Sequence, residues 1–134
     1  MIDSFDAVVT VVDQPNKNGH VYTTETMKRA ISDTGGVVFG QLGMIERDTI
    51  DLHNASHKVT NLGFHERDGV TYCIGTVTIL STLSGSLLRD ISKTLSDTNQ
   101  PPFDFRMAGT GKVDENGIVS DYRLISINAV QDGA

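Results

Sequence analysis

The sequence has one cysteine, three prolines, no tryptophan, five phenylalanines and three tyrosines. One thiol can neither close an internal disulfide nor build a cysteine-rich zinc site. Cys73 lies inside an apolar strand pattern and reads as a small buried core residue. No run of eighteen apolar residues is present, which excludes an ordinary membrane-spanning helix. No basic segment precedes an apolar stretch, so a secretory leader is not expected and the chain reads as soluble and made in a cytoplasm. Positive charge is scarce. Eleven basic against seventeen acidic residues give a formal net charge of −6, and no basic cluster is longer than Lys28-Arg29. Such a surface repels a phosphate backbone, so direct nucleic-acid binding and attachment to a membrane are not expected.

What is present fits one domain spanning 1–134, long enough to bury a core without covalent staples. Ala7 to Val12 is a β-branched strand that ends in the turn formers Asp13 to Gly19. Thr24 is the expected cap of a short helix in which Met27, Ala30 and Ile31 share a face, stopped by Gly35-Gly36. Val37 to Phe39 reads as a brief buried strand. Two long strands follow, Lys58 to Phe64 and Val70 to Leu80, joined through Asp68-Gly69, a strong hairpin signal. Gly75 is expected to mark a bulge at which the apolar face changes from Val70, Tyr72 and Ile74 to Val77 and Ile79.

Ser84 begins a second helix with an apolar stripe of Leu87, Leu88, Ile91 and Leu95. The tandem Pro101-Pro102 excludes a central strand and forces an extended entry into Phe103 to Gly111. An Asn116-Gly117 turn then leads into a closing strand, Ile118 to Ala129. Roughly seven strands and two helices without a βαβ rhythm predict a mixed β-rich α+β fold. The expected form is a single closed or nearly closed β-barrel with two peripheral helices. Val8, Val77, Ile79, Leu88, Ile91 and Ile125 are its expected core.

Two segments carry a resemblance. Gly40-Gln41-Leu42-Gly43-Met44-Ile45 is similar to the Gly-x-Leu-x-His-Pro motif of the prohead (head maturation) serine proteases of tailed bacteriophages. Phe103 to Gly111 resembles their Ser-Ser-Arg-Gly-x-Gly segment. Asn16 to Tyr22 looks like the family's Asn-x-Asn-x-Arg-x-Tyr stretch, and Thr49 to Val59 resembles the segment after the family's histidine motif. Gly85 with its leucines, Val119 to Tyr122, and Ile127 to Val130 follow in the family's order, with Asn128 where members often have aspartate.

The resemblance implies a herpesvirus-protease-like barrel and a place among phage capsid or other head proteins, in many copies within the virion after synthesis in the host cytoplasm. It also implies that this member is catalytically degenerate. Met44 stands at the base, Asp104 and Phe105 at the two serines, and Arg106, Gly109 and Gly111 remain from the oxyanion region. A methionine cannot accept a proton and a phenylalanine offers no nucleophile. The expected function is therefore a non-enzymatic capsid decoration, cement or inner head protein without cofactor or metal. Two alternatives stay open: an active protease that cleaves scaffold and capsid proteins, and a regulator of the true protease. Catalysis could survive only at a relocated site, for which His53, Ser56 and His57 are the candidates. His53 and His57 share a strand face but lie too far apart along it to chelate one ion easily. His20 and His65 are expected in turns, facing solvent.

Overall fold

The computed structural model describes residues 3–99 and 102–131. Its elements are β1 (Ser4–Val12), α1 (Thr24–Asp33), β2 (Val38–Gln41), a 3₁₀ turn (Leu52–Asn54), β3 (Ala55–Arg67), β4 (Val70–Ile79), α2 (Leu83–Asp97), β5 (Asp104–Val113) and β6 (Val119–Val130). The strands form two open antiparallel sheets, one of four in the order β1-β4-β3-β2 and one of two, β5-β6. This corrects the expected closed barrel of seven strands. Two junctions remain without a ladder. β1 packs near β5, and β2 approaches the end of β6 through a single parallel bridge, Leu42 to Ala129, supported by the Gly43 N–H donating to the Ala129 carbonyl at 2.8 Å. After β2 the chain runs through an irregular loop from position 42 to 51.

Local chemistry explains most element ends. Thr23, one residue before the expected cap, accepts from the Thr26 N–H and starts α1. Thr82 does the same for α2 through Gly85 N–H, and its hydroxyl donates to the Ala55 carbonyl at 2.7 Å, tying the helix to β3. The β3–β4 hairpin closes on Asp68 and Gly69, both at positive φ, as an Asp-Gly turn requires. Between β5 and β6 the turn is organised by Asp114, whose Oδ1 accepts from the N–H of Asn116 and of Ile118. Gly117 rather than Asn116 takes the positive φ. Of the tandem prolines, Pro102 lies outside any regular element just before β5, whereas Pro101 lies outside the described residues.

The core gathers Val9, Met27, Val59, Cys73, Val77, Leu88, Leu124 and Ile127. Val77, Ile79 and Leu88 are buried as expected, and burial pushes the Cys73 thiol up to about 11. Val8 is exposed and Val9 buried instead, because a bulge between Val8 and Thr10 resets the alternation of β1 against β4. Ile91 and Ile125 are half-buried, and Leu87 of the α2 stripe is exposed. The face of β4 does not switch at Gly75: Cys73, Gly75, Val77 and Ile79 are all buried. The irregularity lies in its partner β3, between Thr60 and Gly63, where Leu62 and Val59 occupy the space a side chain at position 75 would need.

Candidate functional site

Four polar side chains are fully buried among the described residues, Ser56, His57, Ser126 and Asn128. They gather where β2, β3 and the end of β6 meet. Opposite Gly40 of β2 stands His57, but the next partner of β2, Gln41, pairs with Ala55, so Ser56 is an extra residue. This bulge matters because neighbouring strand residues otherwise point to opposite faces. Here Ser56 Oγ lies 2.7 Å from Nδ1 of its neighbour His57.

The His57 ring reaches across Gly40 to β6, with Nε2 2.6 Å from the Ile127 carbonyl oxygen. A carbonyl only accepts, so Nε2 carries the proton and, in the neutral ring, Nδ1 accepts from the Ser56 hydroxyl. Burial pushes the imidazole below its ordinary range, and the bond to Ile127 opposes part of that shift. Gly40 is required for this crossing. A Cβ added there would sit 1.7 Å from the Ile127 oxygen and 2.3 Å from Nε2. Asn128 completes the cluster, accepting from the Gln41 N–H at 3.2 Å and donating to Ser126 Oγ at 3.0 Å. Every buried side-chain polar atom among the described residues has a partner.

Phe105 covers this cluster. Its ring is buried and meets His57 edge to face, with centroids 5.1 Å apart; on another side it meets Phe5 at 5.6 Å. Phe103 and Met107 are half-buried and also pack on the core, while Asp104 and Arg106 are exposed on the other side of the pleat. The histidine brought against Phe105 is thus His57 in β3. Met44 stands in the loop after β2, partly exposed, with its sulfur 3.9 Å from Asn128 Nδ2.

The other residues singled out in the sequence separate into surface and strand positions. His53 is exposed in the 3₁₀ turn with Nδ1 3.7 Å from Asp51, so it does not join the buried Ser56–His57 pair. Among the described residues no group of three or more His, Cys, Asp or Glu side chains could hold a metal ion. Gly109 and Gly111 lie on β5 against Tyr122 of β6. A Cβ at 109 would be 2.2 Å from the Arg123 carbonyl and 2.6 Å from the Tyr122 hydroxyl. Tyr122 in turn meets Tyr22 edge to face at 5.0 Å, and burial pushes both phenols up. Packing alone therefore requires a glycine at 109, and it also explains why the Asn16–Tyr22 loop is anchored to β6.

Two features of this arrangement have no local signal in the sequence. Ser56 and His57 were considered as a pair, but their partner Ile127 lies 70 residues from His57, and the bulge that joins them has no local signal. The adjacency of His57 and Phe105 likewise exists only once the two sheets face each other.

With this geometry in view, the fold can be set beside known proteins. No protein-family model matches the chain, and no curated protein matches it. The solved structure of the bacteriophage T4 capsid assembly protease, gp21, is similar, with a TM-score of 0.70 and 16% sequence identity over 96% of this chain and 81% of that one. The chain has a capsid-assembly-protease-like fold.

Proposed function

We propose that this chain is a non-catalytic protein of phage head assembly, built on the capsid-protease fold and used for its surface rather than for peptide cleavage. The observation that carries this reading is Phe105. It stands at the position that the sequence motif assigns to a serine, and its ring packs 5.1 Å from His57. A protease of this type needs a hydroxyl there, within hydrogen-bond reach of a base. Phe105 offers no hydroxyl, and both ring nitrogens of His57 are already engaged in the interior. Met44 and Asp104 supply no base and no positioned nucleophile, and Arg106, Gly109 and Gly111 remain as parts of the β5 framework. The fold shared with a phage capsid assembly protease supports a setting among head proteins, as a decoration, cement or inner head component.

One observation favours a second reading, a relocated protease site. The Ser56 hydroxyl donates to His57 Nδ1 at 2.7 Å, the polarity a nucleophile and base require. Against it, both side chains are 0% exposed, so a peptide carbonyl could reach Ser56 only after the β2–β3–β6 junction opened. The experiment is incubation of the full chain with the major capsid and scaffold proteins of the same phage, alongside a fluorophosphonate serine probe. Intact chains and no labelling are expected. Specific cleavage that disappears in Ser56→Ala and His57→Ala would replace the first reading with the second.

A further inference from the structure

The methionines of the described residues differ in their access to solvent. Met27 is fully buried and Met107 is half-buried against the core, whereas Met44 is 46% exposed. The one cysteine, Cys73, is buried, and its thiol stays protonated well above neutral pH. Among the described residues, Met44 is therefore the sulfur that a small polar oxidant reaches first. Its backbone is held on both sides. The Gly43 N–H before it donates to the Ala129 carbonyl at 2.8 Å, and Gln41 Nε2 donates to its own carbonyl at 3.2 Å. Beyond Met44 this hold ends: among the described residues, no backbone–backbone hydrogen bond ties positions 45 to 50 to the rest of the protein.

The sulfur of Met44 is set against a buried donor. Asn128 is fully buried, and the orientation of its amide is fixed, because the Gln41 backbone N–H can only donate and so must meet Oδ1, 3.2 Å away. Nδ2 then carries two hydrogens. One goes to Ser126 Oγ at 3.0 Å, and the other is aimed at the Met44 sulfur at 3.9 Å. A thioether is a weak acceptor. A buried amide hydrogen with a poor partner costs free energy, because water in the unfolded chain binds it better. A stronger acceptor at the end of the Met44 side chain is therefore favoured, and oxidation of the sulfur supplies one where a donor is already in place.

We propose that Met44 is an oxidation site for peroxide, and that its sulfoxide latches the loop after β2 onto β6 through Asn128. In the step, a lone pair of the sulfur attacks one oxygen of hydrogen peroxide; the S–O bond forms as the O–O bond breaks. The released hydroxide takes the proton left on the transferred oxygen and departs as water. Sulfur is oxidised by two electrons and the peroxide is reduced. The unbranched side chain has three rotatable bonds, so the new oxygen can turn to Nδ2 and accept the hydrogen that the sulfur held weakly. At Met27 the same reaction would place a polar group in the core and disrupt it. The inference goes beyond the proposed loss of catalysis and does not rest on it, because it uses only the exposure of Met44, the loop and the buried amide of Asn128.

The test treats the full chain with millimolar hydrogen peroxide and follows each methionine by peptide-resolved mass spectrometry. Met44 should gain one oxygen well before Met107 or Met27 does. In the oxidised protein the side-chain amide proton resonances of Asn128 should move downfield. Tryptic cleavage after Arg47, exposed in the same loop, should slow by about two- to tenfold, the scale of one net hydrogen bond. Met44→Gln carries a carbonyl oxygen at the corresponding point of its side chain and should slow that cleavage without peroxide. Met44→Leu should cleave at one rate before and after treatment. Oxidation of Met107 or Met27 as fast as Met44, unmoved Asn128 resonances in the Met44 sulfoxide, cleavage after Arg47 that is unchanged or faster on oxidation, or the same slowing in Met44→Leu would each overturn the proposal.

Discussion

The two ends of β5 lie on the same strand and pair with the same partner, yet they are filled by different physics. At the Phe105 end the strand covers a buried polar cluster, and a large apolar ring closes it. At the Gly109–Gly111 end the strand is exposed and must stay thin, because Tyr122 and the backbone of β6 lie where a side chain would go. Both ends lie in the one segment that resembles a protease motif, but only at the second does packing explain the residues that match it. A glycine that survives under a tyrosine ring says nothing about an oxyanion. A phenylalanine packed on a histidine, by contrast, says that β5 offers that histidine no hydroxyl from position 105.

The sharpest way to break this comparison is at Gly40, beneath the Phe105 end. An alanine Cβ there would overlap the Ile127 carbonyl and His57 Nε2, and a backbone oxygen cannot move aside cheaply. Gly40→Ala should therefore cost more than about 3 kcal/mol, beyond the usual range for overpacking, or prevent folding altogether. Urea melts decide it. A midpoint close to that of the natural chain would mean that the His57 ring does not cross to β6 over Gly40.

The same end should respond to acid. His57 is held below its ordinary pKa by burial, so the folded state binds its proton less readily than the unfolded state. Its contribution is fully present above the unfolded value of about 6.5 and is lost as pH falls toward the lowered folded value. One such group changes stability by at most about 1.4 kcal/mol per pH unit in that window. Melts of the natural chain and of His57→Gln should thus run parallel between pH 7 and 8 and converge between pH 6.5 and 5. His20, His53 and His65 are common to both proteins and cancel. Parallel curves through the acid range would show that His57 titrates as it does in the unfolded chain.

How much of this was legible in the sequence depends on how local the cause is. The Asp68-Gly69 turn, the glycine stop of α1, and the burial of Val77, Ile79 and Leu88 follow from neighbours within a few residues, and each is found as expected. Val8 and Val9 exchange roles because of a bulge, and a bulge shifts a period-two pattern by one without altering composition. The closed barrel was expected from the number and order of strands. What decides closure is whether the edges β1 and β2 form ladders with β5 and β6, and only isolated bridges and side-chain contacts form there. At the site, the motif match drew attention to Met44, whereas His57 reaches Phe105 only through the stacking of two strands distant in sequence. No periodicity encodes that contact.

The smallest effect expected on β5 gives the finest test of the comparison. Gly109 and Gly111 belong to one motif, and a catalytic explanation would treat them alike. Packing does not. An added Cβ at 109 meets the Arg123 carbonyl at 2.2 Å, so Gly109→Ala should cost on the order of 3 kcal/mol. At 111 the nearest atoms are the Ser120 carbonyl at 3.1 Å and side-chain carbons of Tyr122 and Val119 at 3.3 Å. These contacts are tight but can relax by a few tenths of an ångström, and Gly111 does not require a positive φ. Replacing glycine also narrows the unfolded ensemble, which offsets about 0.4–1 kcal/mol of the crowding. Gly111→Ala should therefore leave stability within about 1 kcal/mol of the natural chain. Equal losses at the two positions would show that Tyr122 and β6 do not set the requirement, and that the two glycines serve a shared need other than room for the ring.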